Sequence, residues 1–333
     1  MDIISVRSLK AEVAERIVKP LLGDVRVGSS FAVSARPMNT VTGTEAGIAL
    51  GITKGTHKSD YRLAVRLQRR FLEGIPNLHE RFQQQAKGEV DVQYVGRLQK
   101  RQIPWHQMRQ RPLLLGCSVG HHKITAGTLG AFVLHKQTQR TVILSNNHVL
   151  ADEDRGKLGD AILQPGAYDK GNARTHRVGT LLNFVKLKSS ANLSDAAIAT
   201  LGEKIPYDSS TLTGVGKLAG LRPTPIEPGA TVMKVGRTSG LTRGRVTAIE
   251  VDNVVVGFDR GELSFDRQIE IEGSDEEPFS RPGDSGSLIV DEDRRACGLL
   301  FAGGDVGGLN GKGLTYANDL ATVLRQLKIT LAD

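Results

Sequence analysis

The sequence predicts a mainly β protein preceded by a small α/β unit. Three observations carry this. From about Leu113 onward, short apolar runs recur with glycine between them, and the chain holds 38 glycines in 333 residues. Only 5% of residues are aromatic and 39% are hydrophobic, enough for two or three packed cores without the long 3.6-periodic stretches of a helical bundle. Ahead of residue 98, helix-like and strand-like segments alternate instead.

In the N-terminal third, Val6, Leu9, Val13 and Ile17 follow helical spacing, which predicts a helix near 5–19 stopped by Pro20. "AGIALGI" (46–52) and "RLAVRLQ" (62–68) read as strands. "IPNLHERFQQQAKG" (75–88) reads as a helix with Pro76 in its first turn and Leu78 and Phe82 on one face. "VDVQYVGRL" (90–98) alternates as a strand does, and the polar, basic segment 99–112 reads as a linker or exposed strap. These features divide the chain into 1–98, 99–112 and 113–333.

Beyond Leu113 the strand candidates are 124–134, 141–146, 177–187 and 196–201, then 230–236, 244–251, 267–273, 287–291 and 297–303. Their spacing points to a sandwich or barrels. The chain ends on "ANDLATVLRQLKI", with Leu320, Val323, Leu324 and Leu327 on one helical face and Asn318 as the expected cap.

Charge is uneven. Residues 1–120 hold 19 Lys+Arg against 10 Asp+Glu, whereas the remainder is close to neutral. Such a basic region is either a solvated face or an attraction for an acidic partner or nucleic acid. No RNA-binding aromatic signature or zinc finger accompanies it. Two cysteines, Cys117 and Cys297, provide neither a disulfide framework nor a CxxC pair, and point to a reducing, cytoplasmic setting. The start does not read as a signal peptide, and no apolar run is long enough for a membrane span. No cofactor and no metal are expected.

The chemistry concentrates in "SRPGDSGSLIV" (280–290), where Gly283 and Gly286 flank Asp284 and Ser285 directly before a strand. A serine hydroxyl becomes a nucleophile only with a base, a group to orient that base, and donors for the oxyanion. The N–H groups of Gly283 and Ser285 are the candidate donors. Among eight histidines, His148 fits the base, since "VILSNNHVLAD" runs an apolar strand into a short polar turn. The plain alternative is a strand-end histidine satisfied by a carbonyl. Asp195, in "NLSDAAIATL", is the candidate orienting carboxylate, because a carboxylate entering a buried strand needs a partner. Its alternative is a turn or cap residue. Asp152, Asp154, Asp160 and Asp169 stand in more polar surroundings.

With "LSNNHVLA", "SDAAIATL" and "RPGDSGSLIV" in the order His, Asp, Ser, the chain from about Leu113 to Leu327 resembles trypsin-like (chymotrypsin-fold) serine peptidases of the bacterial type. "KVGRTSGLTRGRVTAIEV" (234–251) is similar to the entry of their second barrel. The resemblance implies two six-stranded antiparallel β-barrels with a C-terminal helix. It also implies a serine endopeptidase with His148, Asp195 and Ser285 as its triad. Gly303 and Gly313 would wall the substrate pocket, with Phe279 near its base and an apolar preference following. Asp275, Glu276 and Glu277 lie close enough to favour a basic residue instead. No released N-terminus is in sight to pair with Asp284, so an arginine is a candidate partner. A peptidase-fold binding protein without turnover and a nucleic-acid-linked effector are the competing readings.

Overall fold

The computed structural model describes residues 1–21, 47–55, 57, 60–96, 103–274 and 277–332. Ala46, residues 97–102, Asp275 and Glu276, each part of an expectation above, lie outside them. The chain divides into two compact units, Met1–Gln102 and Ile103–Asp333. Among the described residues, no helix is long and apolar enough to cross a membrane.

In the first unit, helix α1 (Ile3–Val13) is capped by Asp2, whose side chain accepts from the N–H groups of Ile4 and Ser5. The helix does not stop at Pro20. It continues to residue 21 through a wide turn at Ala14–Val18. A proline inside a helix removes one hydrogen bond and crowds the preceding turn, and a locally widened turn accommodates both effects. Strands β1 (Ile48–Lys54), β2 (Tyr61–Leu67) and β3 (Val90–Tyr94) form a sheet in that order, antiparallel then parallel. Helix α2 (Leu78–Gln85) makes the crossover between β2 and β3, starting two residues after Pro76. Leu78 and Phe82 bury against Leu63, Val65 and Leu67, joined by Val6 and Val13 of α1.

The second unit opens with β4 (Ser118–His121), β5 (Gly127–Thr128), β6 (Ala131–His135), β7 (Thr141–Ser145), the short helix α3 (Asn147–Leu150), β8 (Ala161–Leu163), β9 (Arg177–Phe184) and β10 (Ala197–Thr200). These strands run β6-β7-β10-β9-β8-β4-β5 in an open sheet, with residues 329–331 added at the edge beyond β6, so β5 and β6, consecutive in the chain, flank the other five. Only Leu129 and Gly130 separate β5 from β6. Leu129 donates to Cys117 O at 2.8 Å on one side, and Gly130 donates to Leu144 O at 2.9 Å on the other. The ring of the first barrel is thus curled around one bent strand, 127–135, and not closed by a continuous ladder.

A minimal hairpin, β11 (Thr211–Leu212) and β12 (Gly216–Lys217), leads to the second barrel. That barrel closes fully in the order β13-β14-β17-β20-β19-β18. Its strands are β13 (Thr231–Gly236), β14 (Gly240–Val251), β17 (Gln268–Gly273), β18 (Leu288–Asp291), β19 (Ala296–Gly303) and β20 (Leu314–Asp319). Between β14 and β17, β15 (Val254–Phe258) and β16 (Gly261–Phe265) form a hairpin absent from the strand candidates above. Helix α4 (Leu320–Leu327) follows, and β21 (Ile329–Leu331) pairs with β6. Leu320, Val323, Leu324 and Leu327 are all buried in the first barrel's core, as the helical spacing anticipates. The architecture is mainly β, with two barrels and a C-terminal helix, as the trypsin-like resemblance implies.

Two further expectations are not met. The α4 cap is Asp319, whose carboxylate accepts from Thr322 N at 2.8 Å, and not Asn318. Residues 103–112 are not a free strap. His106 Nδ1 bonds Arg237 O at 2.6 Å, Gln110 N donates to Gln164 Oε1 at 3.0 Å, and Gln164 Nε2 returns a bond to Met108 O.

Candidate active site

Strand register brings the histidine and the aspartate together. β7 and β10 are antiparallel with Ser145 opposite Ala197. Residues just after Ser145 therefore lie beside residues just before Ala197. Asp195 is fully buried and spends its carboxylate on this neighbour segment. Its Oδ1 accepts from Asn147 N at 2.6 Å and His148 N at 3.2 Å, and its Oδ2 accepts from His148 Nδ1. Since Nδ1–H donates to a carboxylate, Nε2 is left with its lone pair, the tautomer a general base needs.

Asp195 is itself held from two sides. Asn146 Nδ2 donates to its carbonyl at 2.7 Å, and Asn318 Oδ1 accepts from its N–H at 3.0 Å. Asn318 is fully buried and also donates to Gln268 Oε1. Neither asparagine reads from the sequence as a partner of Asp195, and Asn318, standing before a helix, reads there as a cap. Burial lowers the proton affinity of His148, but the charge and hydrogen bond of Asp195, with the charge of Glu153, outweigh it and hold the pKa above the ordinary 6.5. Phe258, at the tip of the β15–β16 hairpin, meets the imidazole edge-on at 6.0 Å.

Ser285 sits on the loop before β18. Thr128 fixes that loop: its N–H donates to Ser285 O at 2.8 Å and its hydroxyl to Gly283 O at 3.0 Å. A Cβ on Gly286 would lie 2.1 Å from Ser145 Oγ and 2.4 Å from Thr128 O, so only glycine fits where the serine loop meets the first barrel. Gly283 has φ +96°, and neither its N–H nor that of Ser285 donates a hydrogen bond within the described chain. Two uncommitted N–H groups beside a serine are what an oxyanion needs. The Ser285 hydroxyl donates to Phe301 O at 3.5 Å, and no hydrogen bond joins it to His148.

Asp284 finds a lysine and not an arginine. Lys234 and Asp284 are both fully buried, with Nζ 2.9 Å from Oδ2. Ser239 Oγ and Arg281 N also donate to Oδ2, and Thr238 N and Ser239 N donate to Oδ1. Burial alone would raise the Asp284 pKa, but Lys234 and these donors hold it below the ordinary carboxylate range. Burial pulls Lys234 down, against the opposing charge of Asp284. The 236–240 loop that clamps Asp284 carries Arg237, whose carbonyl is the acceptor for His106 and whose guanidinium pairs with Asp169.

The expected pocket is only partly present. Phe279 is 1% exposed and packs with Val246, Ile271 and Ile289 inside the second barrel, so it offers no floor to a substrate. The group nearest an added Cβ on Gly303 is Ser280 Oγ, which bonds Thr315 Oγ1 at 2.7 Å. The surface behind Gly303 is therefore polar, and the argument for an apolar preference falls with Phe279. Gly313 has φ +94° and lies against Gly304 O, which makes it a turn residue of the 303–313 loop. Glu277, the described member of the acidic trio, pairs with Arg281.

A family model described as the Nal1 C-terminal domain matches residues 210–329. Protein NARROW LEAF 1 of Oryza sativa subsp. japonica is 30% identical over 213 residues, 56% of this chain and 36% of that protein. The chain thus spans about a third of the length of that curated relative. Among solved structures, Nocardiopsis Protease (NAPase) is 16% identical with a TM-score of 0.47, covering 66% of this chain and 99% of its own. Alpha-lytic protease homolog N4 is 21% identical with a TM-score of 0.46 over 66% of this chain and 99% of its own.

Proposed function

We propose that the second unit is a serine endopeptidase acting through an acyl-enzyme. The observation that supports this most is Asp195, a fully buried carboxylate whose hydrogen bonds all go to Asn147 and His148. A buried charge is costly unless it is paired, and this one is paired in the way that leaves His148 Nε2 basic. Ser285 Oγ attacks the scissile carbonyl and its proton passes to His148 Nε2, while the N–H groups of Gly283 and Ser285 hold the oxyanion. His148 then delivers that proton to the leaving amine, and water, deprotonated by the same nitrogen, releases the acyl group. The substrate is a protein or peptide.

The reading of a silent binding protein draws on one observation, the missing bond between Ser285 and His148. Catalytic hydrogen bonds tighten on substrate binding, so this distance does not by itself decide against turnover. The first unit is proposed to regulate or dock and not to supply chemistry. An acidic partner or nucleic acid for its basic stretch is the weaker proposal, since Arg16, Lys19 and Arg66 already face Glu12, Glu15 and Asp91. A reducing, cytoplasmic setting is proposed on Cys117 and Cys297, which are free and buried, with thiol pKa values pushed up to about 12.

The pH profile tests the base. Only neutral His148 accepts the serine proton, so activity falls as pH falls through its pKa. With that pKa raised, the acid limb of kcat/KM on a peptide substrate is expected to have its midpoint above 6.5. Glu153→Gln removes one of the charges holding it up and should move the midpoint down. A midpoint below 6.5 in the unaltered enzyme, or none at all, contradicts His148 as the base.

A further inference from the structure

Away from the catalytic groups, β4 ends on His121, and a second histidine, His122, opens the turn that follows. His121 pairs with Ile162 across the β4–β8 ladder, and His122 N donates to Ala161 O at 3.0 Å. This register sets both beside Asp160, the residue before β8. The tight turn that follows, with Ile124 N donating to His121 O, brings the two rings to 4.4 Å between centroids. His121 is fully buried and its Nε2 lies 3.0 Å from Asp160 Oδ2. His122 Nδ1 is shut off from solvent and has no hydrogen-bond partner among the described residues. One ligand atom from each of the three lies within 4.8 Å of the others.

A buried ring nitrogen with no partner costs free energy unless something outside the chain satisfies it. A water could bridge it, but the other two groups here are also ligand types. We propose that His121, His122 and Asp160 form a binding site for a divalent transition metal of the Zn²⁺ class. Two imidazoles and one carboxylate match the nitrogen-rich preference of Zn²⁺ and not the all-oxygen preference of Ca²⁺ or Mg²⁺. His122 contributes Nδ1, and His121 contributes Nε2. For the latter the ring proton moves from Nε2 to Nδ1, which gives up the 3.0 Å bond to Asp160 and the long 3.3 Å contact from Lys123 N in exchange for the metal bond. Asp160 changes from accepting that proton to ligating the metal, and remains oriented by Lys157 N at 2.8 Å. Three protein ligands leave a fourth position to water. The ion ties the end of β4 to the turn entering β8, the far end of the 151–160 segment that begins after α3. It is a structural clip independent of the peptidase reading.

The full-length chain, stripped with a chelator, is titrated with Zn²⁺ by calorimetry and with Co²⁺ by visible absorption, which reports a tetrahedral nitrogen and oxygen field. One equivalent is expected to bind, and Zn²⁺ is expected to raise Tm. His122→Ala and Asp160→Asn should each weaken binding by at least about tenfold, the smaller end of the loss seen even for groups that only orient ligands. They should also abolish the rise in Tm. If buried His121→Ala does not fold, the half-exposed His122 still decides the matter. Absence of saturable binding overturns the proposal. So does one equivalent bound with unchanged affinity in His122→Ala, or an equivalent lost in His148→Ala instead.

Discussion

Asp195→Asn is expected to reduce kcat by about 10⁴-fold while the protein stays folded. The geometry states why. Oδ1 of residue 195 receives two backbone N–H donors, from Asn147 and His148. An asparagine must keep its carbonyl oxygen there, which turns its NH₂ group towards His148 Nδ1. The imidazole then has to accept at Nδ1 and carry its proton on Nε2, where it cannot take one from Ser285. KM should change far less than kcat, because the substitution does not touch the substrate. Melting temperature and circular dichroism separate this loss from unfolding. A variant that folds and retains a tenth or more of the activity contradicts the role given to Asp195.

Lys234→Met is expected to destabilise the second unit by about 3–5 kcal/mol. Lys234 and Asp284 have no exposed surface, so removing the ammonium strands a buried carboxylate. The remaining donors to Asp284, Thr238, Ser239 and Arg281, belong to the loops that shape the Gly283–Ser285 turn. Activity should therefore fall together with stability. Lys234→Met combined with Asp284→Asn should recover part of the lost stability, since no unpaired charge is then buried. Equilibrium denaturation of both variants decides this, and a double variant less stable than the single one contradicts the account. The pH sign follows from the depressed Asp284 pKa. Its contribution is present above the ordinary carboxylate value of 3.8 and is lost as pH falls through the lower folded-state value.

The catalytic candidates were legible because each sits where a strand meets a polar turn, a pattern that period-two alternation exposes. His148 and Asp195 meet through the register of β7 on β10, a pairing the strand ends alone did not give; the His, Asp, Ser order of the resemblance joined the two. The partners behind them were not legible. Lys234 shares a face of β13 with buried Val232, but a lysine in a strand ordinarily faces solvent, and nothing in "TVMKVG" names Asp284 as its partner. Asn318 stands where a cap is expected, yet the helix takes Asp319 as its cap and leaves Asn318 to hold Asp195. Phe279 misled for the opposite reason. Its distance from Ser285 along the chain fits a pocket floor, but its ring fills the core of the second barrel. The β15–β16 hairpin escaped because "VVVGFDRGELSF" carries no clean alternation, although its tip places Phe258 against His148.

The central claim is that Ser285 is a nucleophile activated by His148. Reaction of the full-length chain with a fluorophosphonate probe, with the labelled residue located by mass spectrometry, tests it most directly. An ordinary surface serine keeps its proton at neutral pH and does not react, whereas one with a base and aimed N–H donors does. The account predicts labelling at Ser285 and its suppression in His148→Ala. No uptake at Ser285, or equal uptake in His148→Ala, would contradict it and leave the two barrels as a binding scaffold.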